Sequence, residues 1–242
     1  MAGTQVIKGE VPAGAFEADV KDVVFERARA REIDFSRRVF ATFTAERSVF
    51  ERCDFQSATI RYGPLGLGGT IFRDCRFDRA DLRGVDPGEA RFEQCIFNDA
   101  KIAKWMTHCA EFVGCQFATR IVDSVFSATP RNCSVRRRHN EFKGNDFSRA
   151  ELIDTVFVGG IDLDEQKLPA GDEYVRIPDV PDRLDRARAR VEEWEDPEER
   201  RLAITEVETL ERFADHQNEL FLRREDADLP PGVAQRLWAL LE

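Results

Sequence analysis

Large apolar residues recur at multiples of five positions along the first two thirds of the chain. The first series comprises Phe25, Phe35, Phe40, Phe50, Phe55 and Ile60. The second series comprises Phe72, Phe77, Leu82, Phe92, Phe97, Ile102, Phe112, Phe117 and Val122, and its phase returns at Phe142, Phe147, Leu152 and Phe157. This period fits neither a helix, which repeats about every 3.6 residues, nor a flat strand, which repeats about every two. The pattern predicts a chain that turns a corner after every fifth residue.

A small residue stands two positions before many of these large ones, as in the pairs Ala80 and Leu82, and Cys95 and Phe97. Both members of such a pair must point inward. The segments Phe-Asp-Arg-Ala-Asp-Leu at 77–82 and Phe-Ser-Arg-Ala-Glu-Leu at 147–152 show the repeat most clearly. They resemble the pentapeptide-repeat family, whose loose pattern is a small residue, Asp or Asn, Leu or Phe, and two variable positions. The resemblance covers more than half of the chain.

That resemblance implies a mainly β fold, a right-handed quadrilateral β-helix in which four quintets form one coil. The cysteines agree with this period. Cys75, Cys95 and Cys115 recur at every fourth quintet, and Cys53 precedes Cys75 by four quintets and two further residues, which an insertion near residues 63–69 explains. Disulfides between stacked coils would be strained, and a metal would need nearby histidines. We therefore predict reduced, buried thiols in an inward column beside a column of rings: Cys53, Phe55, Cys75, Phe77, Cys95, Phe97, Cys115 and Phe117.

The chain divides into three predicted segments. Residues 15–160 are expected to form the β-helix, residues 161–181 an irregular connector, and residues 182–242 an acidic α-helical module. Apolar stripes predict three helices in this module, and the second stripe runs from Ala203 to Phe221. The module is expected either to cap the open end of the coil or to mediate a homodimer, through Val207, Leu210, Phe221, Leu237 and Trp238.

The net charge of −10 is unevenly distributed. Residues 1–160 hold 24 Lys and Arg against 23 Asp and Glu, whereas residues 161–242 hold 12 against 23. The near-neutral coil has no extended basic stripe, so direct binding of nucleic acid is not expected. The N-terminal residues lack the pattern of a secretory signal, and no apolar run is long enough to span a bilayer, so we expect a cytoplasmic protein without membrane contact.

Four departures from the lattice recur on the same quarter of successive coils, at residues 62–69, 84–88, 104–108 and 127–139. Loops on a rigid scaffold often carry binding residues. We predict an interaction surface on this face, formed by Leu65, Leu67, Trp105, Met106, His108, Arg136, Arg137 and Arg138. The alternative is that Trp105 fills space left by a broken coil and that the three arginines belong to a solvated loop.

Catalytic motifs are absent from the sequence, which contains only three histidines. We expect no enzyme activity, no cofactor and no metal. The favoured hypothesis is a scaffold that binds a protein partner through the irregular face. The resemblance implies an alternative, because well-known family members are acidic, rod-shaped dimers that mimic DNA and bind a type II topoisomerase such as DNA gyrase, as in antibiotic resistance. A purely structural or oligomerisation module is the third hypothesis.

Overall fold

The computed structural model describes residues 4–12 and 21–242, so residues 15–20 of the predicted β-helix lie outside the described part. The strands of the coil are β1 (Gln5–Val11), β2 (Asp22–Arg31), β3 (Val39–Phe40), β4 (Thr42–Glu46), β5 (Val49–Glu51), β6 (Thr59–Ile60), β7 (Gly63–Pro64), β8 (Ile71–Arg73), β9 (Val85–Asp86), β10 (Arg91–Glu93), β11 (Ile102–Ala103), β12 (Glu111–Val113), β13 (Arg120–Ser127), β14 (Phe142–Lys143) and β15 (Glu151–Val158). The C-terminal elements are β16 (Tyr174–Ile177), α1 (Val180–Glu192), α2 (Pro197–Phe213), β17 (Leu220–Arg223), a 3₁₀ turn (Arg224–Asp226) and α3 (Pro231–Leu241).

Successive coils are joined by parallel strand ladders, which confirms the right-handed quadrilateral β-helix. On one face, β5, β8, β10, β12 and β14 place their central phenylalanines in register: Phe50, Phe72, Phe92, Phe112 and Phe142. The first step of this ladder exceeds four quintets by two residues, which confirms the predicted insertion. The next two steps are four quintets each, and the last is six. The two extra quintets of the last step leave the ladder of rings in register.

Stacked phenylalanine rings fill the interior. Phe77, Phe97 and Phe117 form part of one column, with ring centroids 5.0 and 4.8 Å apart and planes within 5° of parallel. The four predicted thiols are buried and free beside this column. Each thiol lies close to a backbone carbonyl of the coil below, as Cys95 Sγ does to the oxygen of Phe72 at 3.4 Å. Burial raises the pKa of the Cys95 thiol, since a thiolate would be poorly solvated there.

The thiol column ends in two buried amides. Asn145 replaces the small residue of the next coil, and its Oδ1 accepts the backbone N–H of Cys115 at 2.9 Å. Its Nδ2 donates to the carbonyl of Phe112, also at 2.9 Å. Gln166 takes the same position one coil further on, where its Oε1 accepts the backbone N–H of Asn145 at 3.1 Å. These side chains satisfy buried backbone groups as the coil approaches its end.

The predicted irregular connector at 161–181 is wrong, because these residues are ordered parts of the coil and of its cap. The backbone N–H of Phe147 donates to the carbonyl of Lys167, so the coil continues beyond residue 160. Strand β16 follows and pairs with β17 in an antiparallel ladder. The rings of Tyr174 and Phe221 stack at 5.2 Å and join the apolar core of the coil. The two-stranded sheet therefore closes the end of the coil, and the helices pack beyond it.

The second helix is shorter than its apolar stripe predicts. Asp196 begins α2 by accepting the backbone N–H groups of Glu198 and Glu199, and the helix ends at Phe213. Phe221 therefore lies on β17. Gln217 lies between these elements, and its Oε1 accepts the backbone N–H groups of Gly160 and Ile161. This buried amide holds the chain where the last regular repeat ends.

The five residues expected to cap the coil or mediate a dimer are all buried inside the chain. Phe221 packs into the coil, and the core of the helical module contains Val207, Leu210, Leu237 and Trp238. A dimer contact through these side chains would require the module to open. They stabilise the module and its attachment to the coil instead.

We expect Phe97→Ala to destabilise the protein by about 3–5 kcal/mol, because it removes a fully buried ring from the column and leaves a cavity. Lys101→Ala is the matched control, since Lys101 lies on the surface of the same coil and forms only a long ion pair with Asp81. Urea unfolding followed by circular dichroism measures both changes. Similar losses in the two variants would show that the inward phase is misassigned.

Candidate functional site

The predicted segments 62–69, 84–88 and 104–108 lie on the irregular face, and the strand pairing of successive coils extends this face to residues 124–127 and 155–158. Their backbones still pair: Gly63 lies opposite Val85, and Met106 lies opposite Val125. Gly63 has a φ of 118°, and a Cβ there would lie 2.4 Å from the carbonyl oxygen of Phe43. Glycine therefore allows the coil to pass close to its neighbour on this face.

Two of the predicted contact residues are not on the surface. Trp105 and Leu65 are both fully buried, which contradicts their assignment to a contact surface. Trp105 packs among the rings of Phe92, Phe97 and Phe112, and its Nε1 donates to the carbonyl of Leu82 at 3.4 Å. The alternative assignment of Trp105 as a space-filling residue is the correct one, because the side chain occupies an inward position of the distorted repeat.

Other apolar side chains of this face are exposed. Tyr62 is 72% exposed, Met106 is 44% exposed and Leu67 is 38% exposed. In the described part of the chain, the other exposed large apolar residues are Val6 and Val39. The irregular face therefore carries most of the exposed large apolar side chains that the structure describes.

Residues 127–140 form a loop that folds back along the irregular face, and we call this loop the strap. A disulfide joins Cys133 of the strap to Cys109 at the edge of the face. This bond was not predicted. The only signal in the sequence was that Cys109 and Cys133 do not belong to the regularly spaced thiol column. Asn140 closes the base of the strap, where its Nδ2 donates to the carbonyls of His108 and Ser127 at 2.8 and 2.9 Å.

Glu89 anchors the middle of the strap and was also missed. Its carboxylate is buried, accepts the Ser134 hydroxyl at 2.6 Å and the Val135 N–H at 3.2 Å, and also accepts the Ser134 N–H. A further bond comes from the N–H of Gly68 at 2.7 Å. Burial raises the pKa of Glu89, but these hydrogen bonds outweigh it and hold the pKa below its ordinary value. The ionised carboxylate therefore ties the strap to the coil.

The three predicted arginines of the strap have different roles. Arg137 is largely buried, and its guanidinium contacts the Glu111 carboxylate at 2.9 Å and also binds the carbonyl of Cys109. This contradicts its assignment to a contact surface. Arg136 and Arg138 are exposed to solvent on either side of it. His108 is half-buried beneath the strap, and burial lowers the pKa of its ring, so it is neutral near pH 7.

The regular face formed by β2, β5, β8, β10 and β12 carries charges of alternating sign. Arg31 contacts Glu51 at 2.8 Å, and Arg73 contacts Glu93 at 2.7 Å, in each case across neighbouring coils. Arg91 contacts the carboxylate of Glu111 at 3.2 Å. Each of these exposed or half-exposed pairs contributes little to stability. Their arrangement neutralises the carboxylates of this face along the coil.

A family model for pentapeptide repeats matches residues 67–102, with 8 copies of the repeat. The match falls on the part of the coil where stacked rings and parallel ladders are most regular. Residues 67–102 therefore consist of pentapeptide repeats. A search of curated protein sequences finds no match.

Solved structures of QnrB1, a plasmid-mediated fluoroquinolone resistance protein, are similar to this chain. A trypsin-treated variant shares 14% identity with a TM-score of 0.30, and the match covers 67% of this chain and 76% of that one. The full-length protein shares 15% identity with a TM-score of 0.22, and the match covers 69% and 92%.

The described part of the molecule shows neither a metal-binding cluster nor a membrane-spanning helix. Within residues 4–12 and 21–242, no cluster of three or more His, Cys, Asp or Glu side chains is arranged to hold a metal ion. None of the helices that the structure describes combines the length and apolar character needed to cross a membrane.

We expect Glu89→Gln to destabilise the protein by about 1.5–3 kcal/mol and to release the strap, because the N–H donors lose a charged acceptor. Trypsin cleavage after Arg136 and Arg138 should become faster. Glu165→Gln is the control, because Glu165 pairs only at 3.6 Å with Lys143 on the surface.

The Glu89 contribution should also depend on pH. The pKa of Glu89 is lowered on folding, so its contribution is fully present above the ordinary value of 4.5 and is lost as the pH falls through the folded value. Thermal unfolding of the native protein and the variant should therefore converge in acid. A difference that stays constant into strong acid would contradict the anchoring role.

Proposed function

We propose that this protein is a non-catalytic scaffold that binds a protein partner through its irregular face. One observation carries the proposal: Tyr62, Leu67 and Met106 are exposed on this face, whereas Val6 and Val39 are the exposed large apolar residues in the rest of the described chain. Apolar side chains grouped on a rigid surface are typical of protein contacts. Leu65 and Trp105, which are fully buried, support this surface from below.

The strap adds a fixed basic edge to the surface. Its disulfide, the Glu89 carboxylate and the Glu111–Arg137 pair hold it against the coil, so Arg136 and Arg138 need little further ordering when a partner binds. Binding by a preorganised surface loses less conformational entropy than binding by a mobile loop. The matching partner surface is apolar at its centre and acidic beside the strap.

DNA mimicry toward a type II topoisomerase is the competing function, and it requires a row of unneutralised carboxylates. The ion pairs Arg31–Glu51 and Arg73–Glu93 place a cation beside each of these acids. The charge pattern of the coil therefore favours the irregular face over mimicry of a phosphate row.

The test begins with a photo-crosslinking side chain placed at Met106, or at the equally exposed Val39 of a regular face, to identify a partner in cells. The affinity of the purified partner is then measured for Tyr62→Ser/Met106→Ser and for Arg136→Ser/Arg138→Ser. We expect each double variant to lose about 2 kcal/mol, roughly 30-fold in Kd, while retaining the fold. The control Val39→Ser/Lys101→Ser should bind like the native protein.

DNA gyrase is tested separately in a supercoiling assay. Inhibition that survives both double variants, but disappears when Glu51 and Glu93 are replaced with Gln, would overturn the proposal in favour of DNA mimicry. Crosslinking from Val39 but not from Met106 would also overturn it.

A further inference from the structure

A cavity of about 330 Å³ separates the upper part of the irregular face from the helical module. Val125 and Val156 line it on the coil side. The module contributes Leu210, Phe213 and Trp238 to the opposite wall. Its volume lies at the lower end of the range for small-molecule sites, about 300–1,000 Å³.

Four carboxylates line the same cavity: Asp123, Asp154, Glu206 and Asp226. The one basic residue in the described lining is Arg223, whose guanidinium contacts the Glu225 carboxylate at 2.8 Å. The cavity therefore combines apolar walls with a strong excess of negative charge. Such an arrangement attracts a cation that also has an apolar body.

The carboxylates are poorly compensated. Glu206 has no hydrogen bond or ion pair within the described residues, and burial alone raises its pKa. Asp226 accepts the backbone N–H of Asp154 at 2.7 Å, but burial raises its pKa as well. Trp238 is only 5% exposed, and its Nε1 also has no hydrogen-bond partner in the described part of the chain. Glu206 and Asp226 are half-buried, and carboxylates with raised pKa values gathered beside apolar walls are typical of a binding site.

We propose that this cavity binds a small organic ammonium ion whose apolar body packs between the coil and the helical module. The ammonium group would neutralise Glu206 and Asp226. The rings of Phe213 and Trp238 add aromatic surface, which favours cations. The cavity lies beside the proposed contact surface for a protein partner, but its lining includes none of the exposed side chains at 62, 67, 106, 136 and 138, so neither proposal depends on the other.

The full-length protein is titrated by calorimetry with 2-phenylethylammonium chloride and with 2-phenylethanol, which keeps the apolar body and lacks the charge. We expect the ammonium ion to bind at least about tenfold more tightly at pH 7. Its affinity should fall as the pH decreases through the raised pKa of Glu206, because protonation removes the charge. Equal affinity for the two probes, or no binding of either at millimolar concentration, would overturn the proposal.

Glu206→Gln separates binding from folding. This variant should lose at least about tenfold in affinity for the ammonium ion and yet unfold at a higher temperature at pH 7, because a half-buried charge whose pKa is raised by burial has been removed. The gain in stability should vanish below pH 4.5, where the carboxyl is protonated in the unfolded chain as well. Glu208→Gln is the matched control, because Glu208 lies exposed on the same helix outside the cavity. Equal losses of affinity in the two variants would contradict the site.

Discussion

The burial of one coil's rings against the next coil is the interaction on which the rest of the structure depends. A single coil leaves rings such as Phe97 open above and below, and Phe77 and Phe117 of the neighbouring coils stack on its two faces. Stability in such an array is shared between neighbouring units, so each end requires a different solution. At the C-terminal end Tyr174 and Phe221 supply the missing rings, and Gln217 satisfies the last backbone groups. The helical module is thereby attached through the same apolar column that holds the coil together.

This dependence explains why the fold could be predicted from the sequence and its C-terminal end could not. The five-residue spacing of Phe72, Phe77 and their equivalents follows directly from the inward positions, and a repeated constraint leaves a repeated signal. The cap is built once, from Tyr174 and Phe221, which lie far apart in the sequence. Because this pairing occurs once, no repeated spacing in the sequence indicates it. The predicted stripe of the second helix ran on to Phe221 because buried residues of strands and of helices are both apolar. An apolar residue alone therefore does not show where the helix ends.

Interruptions of the repeat are aligned on one face of the coil, but the sequence did not separate the inward from the outward residues of that face. Trp105 and Met106 are adjacent in the sequence, and one fills the core while the other is exposed. Where the five-residue repeat is interrupted, the sequence no longer indicates which side chain points inward. The anchors of the strap are equally hidden, because Glu89 and Ser134 are brought together by an insertion of two quintets that crosses coils. The described structure thus separates a supporting layer from an exposed layer on this face.

The unequal coil lengths show on which side the coil accommodates extra residues. The steps from Phe50 to Phe72 and from Phe112 to Phe142 are longer than the four quintets that a coil needs. In both cases the extra residues emerge on the irregular face while the Phe ladder keeps its register. An insertion elsewhere would displace every following ring from its column. Segments on this one side can therefore be lengthened, shortened or exchanged without refolding the rest of the coil. Changes of length on the remaining sides would disrupt the stack.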